Sequence, residues 1–327
     1  DIGGINTAFG LVDENGDLYA ESVISTKKYP YVDDYPAYVR DLCDAMHAMA
    51  KSLSFDYELT GIGIGAPNAN YHKGTVETPA NLWKFRDGDP NPDESRRIFP
   101  LASDISNCFG GVKTLITNDA NAATIGEMIY GNAKGMKDFI MITLGTGLGS
   151  GFVANGEMIY GDDGFAGEFG HIPFFDNEII CSCGKKGCLE TEVSGIAIED
   201  KMRHMIEKGV NTILKKQYDE QRTVHIDDII NAAMNDDNLS IELIEEAGEK
   251  VGKAIAFLIN TFNPETVIVG GNLAAAGDYL MLPLKSATNK YSLNLVYKDT
   301  KFRVSKMTES ANAWGVAMLI RNKVIGI

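Results

Sequence analysis

Long apolar runs are missing from this 327-residue chain. Although 44% of its residues are hydrophobic, nothing approaches the roughly 18 consecutive apolar residues of a membrane span, so no membrane partner is expected. No secretory leader is visible either. The chain opens at Asp1 without a methionine, so further residues are expected upstream. Cysteine is scarce: there are five, and three of them fall in one short stretch. That excludes a disulfide scaffold and fits a soluble protein of the reducing cytoplasm. Cys43 and Cys108 lie in helix-like segments and are expected as inert core thiols. Positive charge is short as well, with 30 Lys and Arg against 45 Asp and Glu, a net charge of −15. No basic patch is interleaved with aromatics, so nucleic acid is not an expected partner. The same charge repels a nucleoside triphosphate at long range, so any such site must work through local backbone dipoles and a metal ion. Low-complexity segments and simple repeats are absent. So are G-x4-G-K-[ST] and a G-x-G-x-x-G before a helix, which excludes the Walker-type and dinucleotide-binding loops.

What is present reads as α/β. The length is enough for two domains with ample buried apolar surface. Phe9–Asp13 and Leu18–Ser25 read as strands joined by the turn Glu14-Asn15-Gly16-Asp17. Asp34–Ala50 places Val39, Leu42, Cys43 and Met46 at helical spacing. Leu59–Gly65 and Thr114–Thr117 read as strands, the second followed by a helix from Asp119. Ile140–Leu144 enters a glycine-rich hairpin, and Ile198–Glu207 reads as a helix. Ile241, Ile244, Gly248, Val251, Ile255, Leu258 and Phe262 mark one face of a long helix. Pro264 ends it, and Thr266–Val269 is a buried strand running into Gly270-Gly271. A hinge is expected near Asn118.

Three motifs carry chemistry. His171, Cys181, Cys183 and Cys188 form G-H-x9-C-x-C-G-x2-G-C-x-E, three thiols and an imidazole, the ligand set of a closed tetrahedral zinc site. Glu168 and Glu190 bracket it, so the cassette reads either as a rigid device for gripping hydroxyl groups or as a purely structural zinc loop. Two glycine-rich turns, Asp1-Ile2-Gly3-Gly4-Ile5-Asn6-Thr7 and Leu144-Gly145-Thr146-Gly147-Leu148-Gly149-Ser150-Gly151, expose backbone N–H groups. Each alone could be an ordinary hairpin turn; two in opposite halves describe a clamp for phosphate. In Asn118-Asp119-Ala120-Asn121-Ala122, Asp119 either caps the following helix or is aimed outward as a base. Trp83 is open between a stacking platform and the core, and Trp314 is expected to pack the C-terminal segment back. The acidic run Glu242, Glu245, Glu246 and Glu249 reads as a solvated helix face. His47, His72, His204 and His225 lack ligand-spaced partners and read as surface or packing residues.

Taken in order, D-I-G-G, G-A-P-N, N-D-A-N-A, L-G-T-G-L-G-S-G, G-E-F-G-H, C-S-C-G-K-K-G-C-L-E and V-I-V-G-G-N-L span nearly the whole chain. This succession resembles the ROK family of repressors, uncharacterised frames and sugar kinases, and within it the bacterial glucokinases. The resemblance implies a two-lobed actin-like ATPase (ribonuclease H-like) fold with an inserted zinc-binding loop. The small lobe would comprise 1–118 plus 311–327, and the large lobe 119–310 with the cassette at 168–190, with a cleft between them. It implies an ATP-dependent hexose kinase acting on the C6 hydroxyl of glucose. N-acetylmannosamine, N-acetylglucosamine or fructose are alternative substrates, and a sugar-responsive repressor or a non-catalytic sugar-binding module are alternative functions. Asp119 matches the catalytic base. Gly65, Asn81, Asn118, Glu168, His171 and Glu190 match sugar-binding positions. Gly3, Gly4, Asn6, Gly145, Thr146 and Gly147 match the phosphate loops, and Gly270 and Gly271 lie where the family holds adenosine. ATP, Mg²⁺, a structural Zn²⁺ and a homodimer or homotetramer are implied too. The chain departs from the pattern at Ile5, where the family's first loop usually has threonine. The segment around Asn81 is one residue tighter than in many glucokinases, and the strand expected before Asp1 is absent from this numbering.

Overall fold

The computed structural model describes residues 1–13, 17–79 and 82–306. Asn81, Trp314, the expected C-terminal helix and most of the first turn fall outside the described residues. Two compact units are present: Asp1–Tyr130 with Tyr160–Ala166, and Gly131–Ile159 with Gly167–Lys306.

In the first unit, β1 (Thr7–Val12) and β2 (Leu18–Ile24) form the expected antiparallel hairpin. Helix α1 (Tyr35–Lys51) buries Val39, Leu42 and Cys43, the apolar stripe read from the sequence. Then follow β3 (Ile62–Gly65), β4 (Ala69–Asn70), β5 (Thr75–Glu77), β6 (Ile98–Phe99), α2 (Leu101–Cys108), β7 (Thr114–Thr117) and α3 (Asp119–Ile129). Strands β3 and β7 pair in parallel, Gly65 opposite Thr117, while β4, β5 and β6 form a small antiparallel sheet. Trp83 belongs to the core: it is fully buried, with Phe99, Tyr35 and Tyr38 ring centroids at 4.6, 5.0 and 5.3 Å. Residues 160–166 dock here, Tyr160 stacking on Tyr71 at 4.0 Å and the Gly161 carbonyl 3.0 Å from His72 Nε2.

Two expectations change. Cys43 and Cys108 are joined as a disulfide rather than standing as separate thiols. Packing of α1 beside the end of α2 sets their Cα atoms 6.3 Å apart, inside the range a bridge spans. Helix α3 groups with the first unit, so the division falls after Tyr130 rather than at Asn118. The helix continues directly from β7, with Ala122, Ile125 and Gly126 buried.

The second unit is built on a five-stranded sheet of β8 (Phe139–Leu144), β9 (Leu148–Ala154), β10 (Glu157–Met158), β11 (Thr266–Gly270) and β12 (Lys301–Val304), in the order β10-β9-β8-β11-β12. Strand β11 lies parallel to both β8 and β12 and is buried along its whole length, as a central strand covered on both faces must be. Between β10 and β11 run the cassette and helices α4 (Glu190–Val193), α5 (Gly195–Glu207), α6 (Lys215–Gln221), α7 (Ile226–Met234) and α8 (Asn238–Phe262). Helices α9 (Asp278–Tyr291) and α10 (Asn294–Tyr297) lead to β12. Asp237 caps α8 by accepting the Ser240 N–H, and Asn263 closes it in the left-handed conformation ahead of Pro264. Among the described residues no helix is long and apolar enough to cross a membrane.

Helices α8 and α9 touch through glycine. A Cβ on Gly252 would lie 2.1 Å from the Leu284 carbonyl oxygen, and one on Gly248 2.6 Å from that of Leu280. Backbone cannot yield as a flexible side chain can. Gly252→Val should therefore lower the unfolding free energy by about 1–3 kcal/mol, read as a reduced denaturant midpoint; an unchanged midpoint would show that the two helices can part without cost.

Candidate functional site

In the first unit the sequence-selected residues collect at the carboxyl ends of parallel strands, the edge where open α/β sheets take ligands. Ile2 N–H donates to the Gly65 carbonyl at 2.8 Å, and Ala66 N–H donates to that of Thr117 at 3.0 Å. These bonds bring the first glycine loop, Gly65 and the Asn118-Asp119 pair to one edge. Gly3 N–H closes the loop on the Asn6 carbonyl at 2.9 Å, leaving Gly4, Ile5 and Asn6 exposed. Thr7 keeps its hydroxyl inside the unit. Its Oγ1 is buried and bonded to Thr26 Oγ1 and Tyr38 Oη, both at 2.8 Å.

The two readings of Asp119 separate in the structure. Asn118 is the N-cap: its Oδ1 accepts the Asn121 N–H at 2.7 Å. Asp119 is the first helical residue, and its side chain is not the cap. It keeps solvent-exposed surface. The surrounding protein nevertheless removes enough water to hold its carboxyl above the ordinary aspartate range, against the lowering pull of its own backbone N–H.

In the second unit the glycine hairpin, the strand end Gly270-Gly271 and the cassette form one connected set. Gly145 N–H donates to the Gly147 carbonyl at 3.0 Å, and Gly195 N–H to that of Gly145 at 2.8 Å. Gly270 pairs with Thr143. Gly271, at φ 84°, passes so near β8 that a Cβ there would lie 2.2 Å from the Leu144 carbonyl oxygen. Thr146 sits at the tip of this hairpin, between the two glycines.

His171 ends a short turn that starts after Glu168. Its Nδ1 lies 3.4 Å from Cys181 Sγ, and Cys183 Sγ lies 3.6 Å from Cys188 Sγ. The four candidate ligand atoms are all within 4.8 Å of one another. A tetrahedron with Zn–S of about 2.3 Å and Zn–N of about 2.0–2.1 Å has edges of roughly 3.5–3.8 Å; the His171–Cys181 and Cys183–Cys188 pairs lie near those lengths, and three thiols with one imidazole are donor types that suit that ion. Burial, followed by the neighbouring Cys183 and Cys181, pushes the Cys188 thiol up to about 12; its thiolate would need a cation beside it. The loop is shaped by the bridges Pro173–Cys188 and Ile180–Lys186. Gly187, at φ 76°, also shapes it, since a Cβ there would meet the Phe175 carbonyl oxygen at 2.2 Å. His171 Nε2, on the other side of the ring, lies 3.8 Å from Glu168 Oε2.

Glu190 joins the cassette to the hairpin. Its Oε2 accepts the Leu148 N–H at 2.9 Å, and its Oε1 lies 3.8 Å from Cys181 Sγ. A Cβ on Gly147 would sit 2.4 Å from Oε2. The Glu190 carboxylate thus fills the space a side chain at 147 would take.

Sequence reasoning missed the group behind α4. Glu246, read as part of a solvated face, bonds Lys201 and Lys250, and both lysines also bond Glu192. Glu246 and Lys250 are four residues apart on one helix, but Lys201–Glu246 and Lys250–Glu192 span 45 and 58 residues, and no local pattern announces the cluster. Glu242, Glu245 and Glu249 are exposed as expected.

Residues 1–323 match the sequence model of the ROK family. The chain is 30% identical, over 332 aligned positions, to a glucokinase of Halalkalibacterium halodurans, covering 99% of this chain and 94% of that one. Among solved structures it resembles a ROK family glucokinase from Streptomyces griseus in complex with glucose and AMPPNP. The TM-score is 0.77 at 27% identity, over 98% of this chain and 97% of that one. It resembles also a ROK family transcriptional regulator, a homologue of the E. coli MLC protein. Here the TM-score is 0.85 at 26% identity, over 98% of this chain and 76% of that one.

The Gly147–Glu190 contact is testable by itself. Gly147→Ala should displace Glu190 and free the Leu148 amide. Hydrogen exchange at Leu148 should rise while overall stability falls by only about 1 kcal/mol. Unchanged protection at Leu148 would show that the carboxylate does not hold it.

Proposed function

The chain belongs to the ROK family, and from that premise we propose that it is an ATP-dependent hexose kinase acting on the C6 hydroxyl of glucose. The observation that carries the reading is Asp119: relieved of capping by Asn118, open to solvent, and held above the ordinary carboxyl range. A general base needs reach and a proton affinity raised toward working pH, and a capping carboxylate has neither. The full-length similarity to glucokinases supports the same substrate class. The actin-like ATPase (ribonuclease H-like) architecture is part of this proposal.

In this mechanism Asp119 takes the proton of the attacking hydroxyl as its oxygen bonds the γ-phosphorus of ATP and the bond to the β-bridging oxygen breaks, releasing ADP. Asn118, Asn81, Glu168, His171 and Glu190 bond the remaining hydroxyls, with Gly65 at the start of the sugar loop. Ionised carboxylates suit a polyol because each accepts several hydrogen bonds. Gly3, Gly4 and Asn6 with Gly145, Thr146 and Gly147 take the phosphates, and Gly270 and Gly271 take adenosine. Mg²⁺ would neutralise charge between the phosphates. His171, Cys181, Cys183 and Cys188 would hold a structural Zn²⁺ that fixes the His171 ring and the loop against which Glu190 rests. Because phosphoryl transfer asks little covalent work of the protein, positioning and charge neutralisation supply the rate. A homodimer or homotetramer in the cytoplasm belongs to the same reading.

A second reading, a sugar-responsive transcription regulator, is favoured by the likeness to the regulator structure. Against it stands the net charge of −15, since DNA backbones are bound through lysine and arginine. Gel mobility of DNA with the full-length protein tests it; a sugar-sensitive shift would favour the regulator.

A coupled ADP-release assay over a hexose panel should show the highest kcat/KM with glucose, ahead of fructose, N-acetylmannosamine and N-acetylglucosamine. No turnover with any of them would end the kinase reading. Asp119→Ala should cut turnover by roughly 10²–10⁴-fold while calorimetry still detects sugar binding; near-normal turnover would remove Asp119 from the base role. In the parent enzyme kcat/KM should fall as pH drops through the raised Asp119 pKa, because the base must be deprotonated. That limb lies above the ordinary aspartate range. Cys183→Ser should release zinc, read by metal analysis, and weaken sugar binding; full sugar affinity without zinc would make the cassette a bystander.

A further inference from the structure

The helix that carries Glu190 is only one turn long. Helix α4 spans Glu190–Val193, too short to hold its own orientation. At about 100° per residue, positions 190 and 192 project to nearly opposite sides of it. Glu190 faces the glycine hairpin through the Leu148 N–H. Glu192 is nine-tenths buried and faces the helices behind.

There Glu192 accepts from Lys250 Nζ at 2.5 Å, from Asn177 Nδ2 at 2.6 Å and from Lys201 Nζ at 3.0 Å. Lys201 Nζ also donates to the Glu192 carbonyl at 3.2 Å and to Glu246 Oε1 at 3.1 Å. Two carboxylates thus face two ammonium groups, a balanced half-buried cluster tying α4 to α5 through Lys201 and to α8 through Lys250 and Glu246. Asn177 extends the tie into the loop between His171 and Cys181, where its Oδ1 accepts the Ile179 N–H at 3.1 Å. Lys250 also lies over the Phe175 ring at 5.4 Å.

We propose that Glu192 is a positioning residue for Glu190 and the cassette: its carboxylate, clamped by Lys201, Lys250 and Asn177, fixes the rotation of α4. It sits on the far side of the helix from Glu190 and acts only through it. The proposal deepens the kinase reading and rests on it for its substrate. Directional, charge-assisted bonds from three elements define an angle where apolar packing alone would let a single turn pivot. Removing one acid also leaves two lysine ammonium groups sharing a single carboxylate, which pulls the cluster apart rather than merely thinning it.

Glu192→Gln keeps an acceptor for Asn177 and removes the charge. In that variant the KM for the sugar should rise about tenfold while kcat and the KM for ATP stay within about twofold, the signature of lost uniform sugar binding. Leu148 amide exchange should quicken, with zinc content unchanged. Sugar KM and Leu148 exchange both equal to the parent, in a folded zinc-bound variant, would overturn the proposal. Should Glu192→Gln not fold, Lys250→Gln probes the same clamp from α8 and is judged by the same two readouts. If the parent protein phosphorylates no hexose, the kinase reading fails alone, and Leu148 exchange still decides whether Glu192 positions Glu190.

Discussion

A carboxylate occupies the place where residue 147 would carry a side chain. Glu190 Oε2 sits on the Leu148 N–H while Oε1 lies against Cys181 Sγ, so one side chain is registered both to the glycine hairpin and to the thiol loop. At Gly147 the hairpin leaves the space that the Glu190 carboxylate fills. The loop can present Cys181 only because Gly187 lets the chain pass Phe175. Much of the second unit's chemistry follows from these close approaches of backbone to backbone or to carboxylate. A site assembled this way is stiff by exclusion, because the alternatives are sterically closed.

Local signals in the sequence were faithful where the physics is local. Thr114–Thr117 running into Asn118-Asp119 reads as strand then helix from Asp119, and the structure has that junction, with Asn118 rather than Asp119 as the cap. The three- and four-residue steps of α8 read as one helix face for the same reason. The four candidate zinc ligands are legible because their spacing is short and their chemistry narrow. Contacts made at long range were not. Cys43 and Cys108 stand 65 residues apart, and only the packing of α1 on α2 brings them together. Glu246 lay in an acidic run, and nothing nearby in sequence points to Lys201. Strands of two residues such as Ala69–Asn70 and Ile98–Phe99 are too short to show a period. Trp83 was undecided because a large aromatic in a loop serves a core as well as a ligand; three ring neighbours place it in the core.

Kinase and regulator share this scaffold within the family, and their difference rests on few groups. In the proposed reading a kinase would need, beyond a sugar-binding set, a base able to take the hydroxyl proton. In the kinase reading Asn118 and Asp119 would divide the work: Asn118 caps the helix, and the Asp119 carboxylate, which does not cap it, would be that base. The helix terminus favours the ionised form and the scarcity of water opposes it. The second outweighs the first, and the carboxyl is held above its ordinary range.

The chain leaves the first unit after Tyr130, returns at Tyr160 and departs again after Ala166. Neither unit is therefore one uninterrupted stretch of polypeptide. During synthesis the first unit stays without its Tyr71–Tyr160 stack until β8, β9 and β10 have already left the ribosome. The early half thus waits, incomplete, for part of the later half to be made. The same interleaving means that no single break in the coding sequence separates the units cleanly.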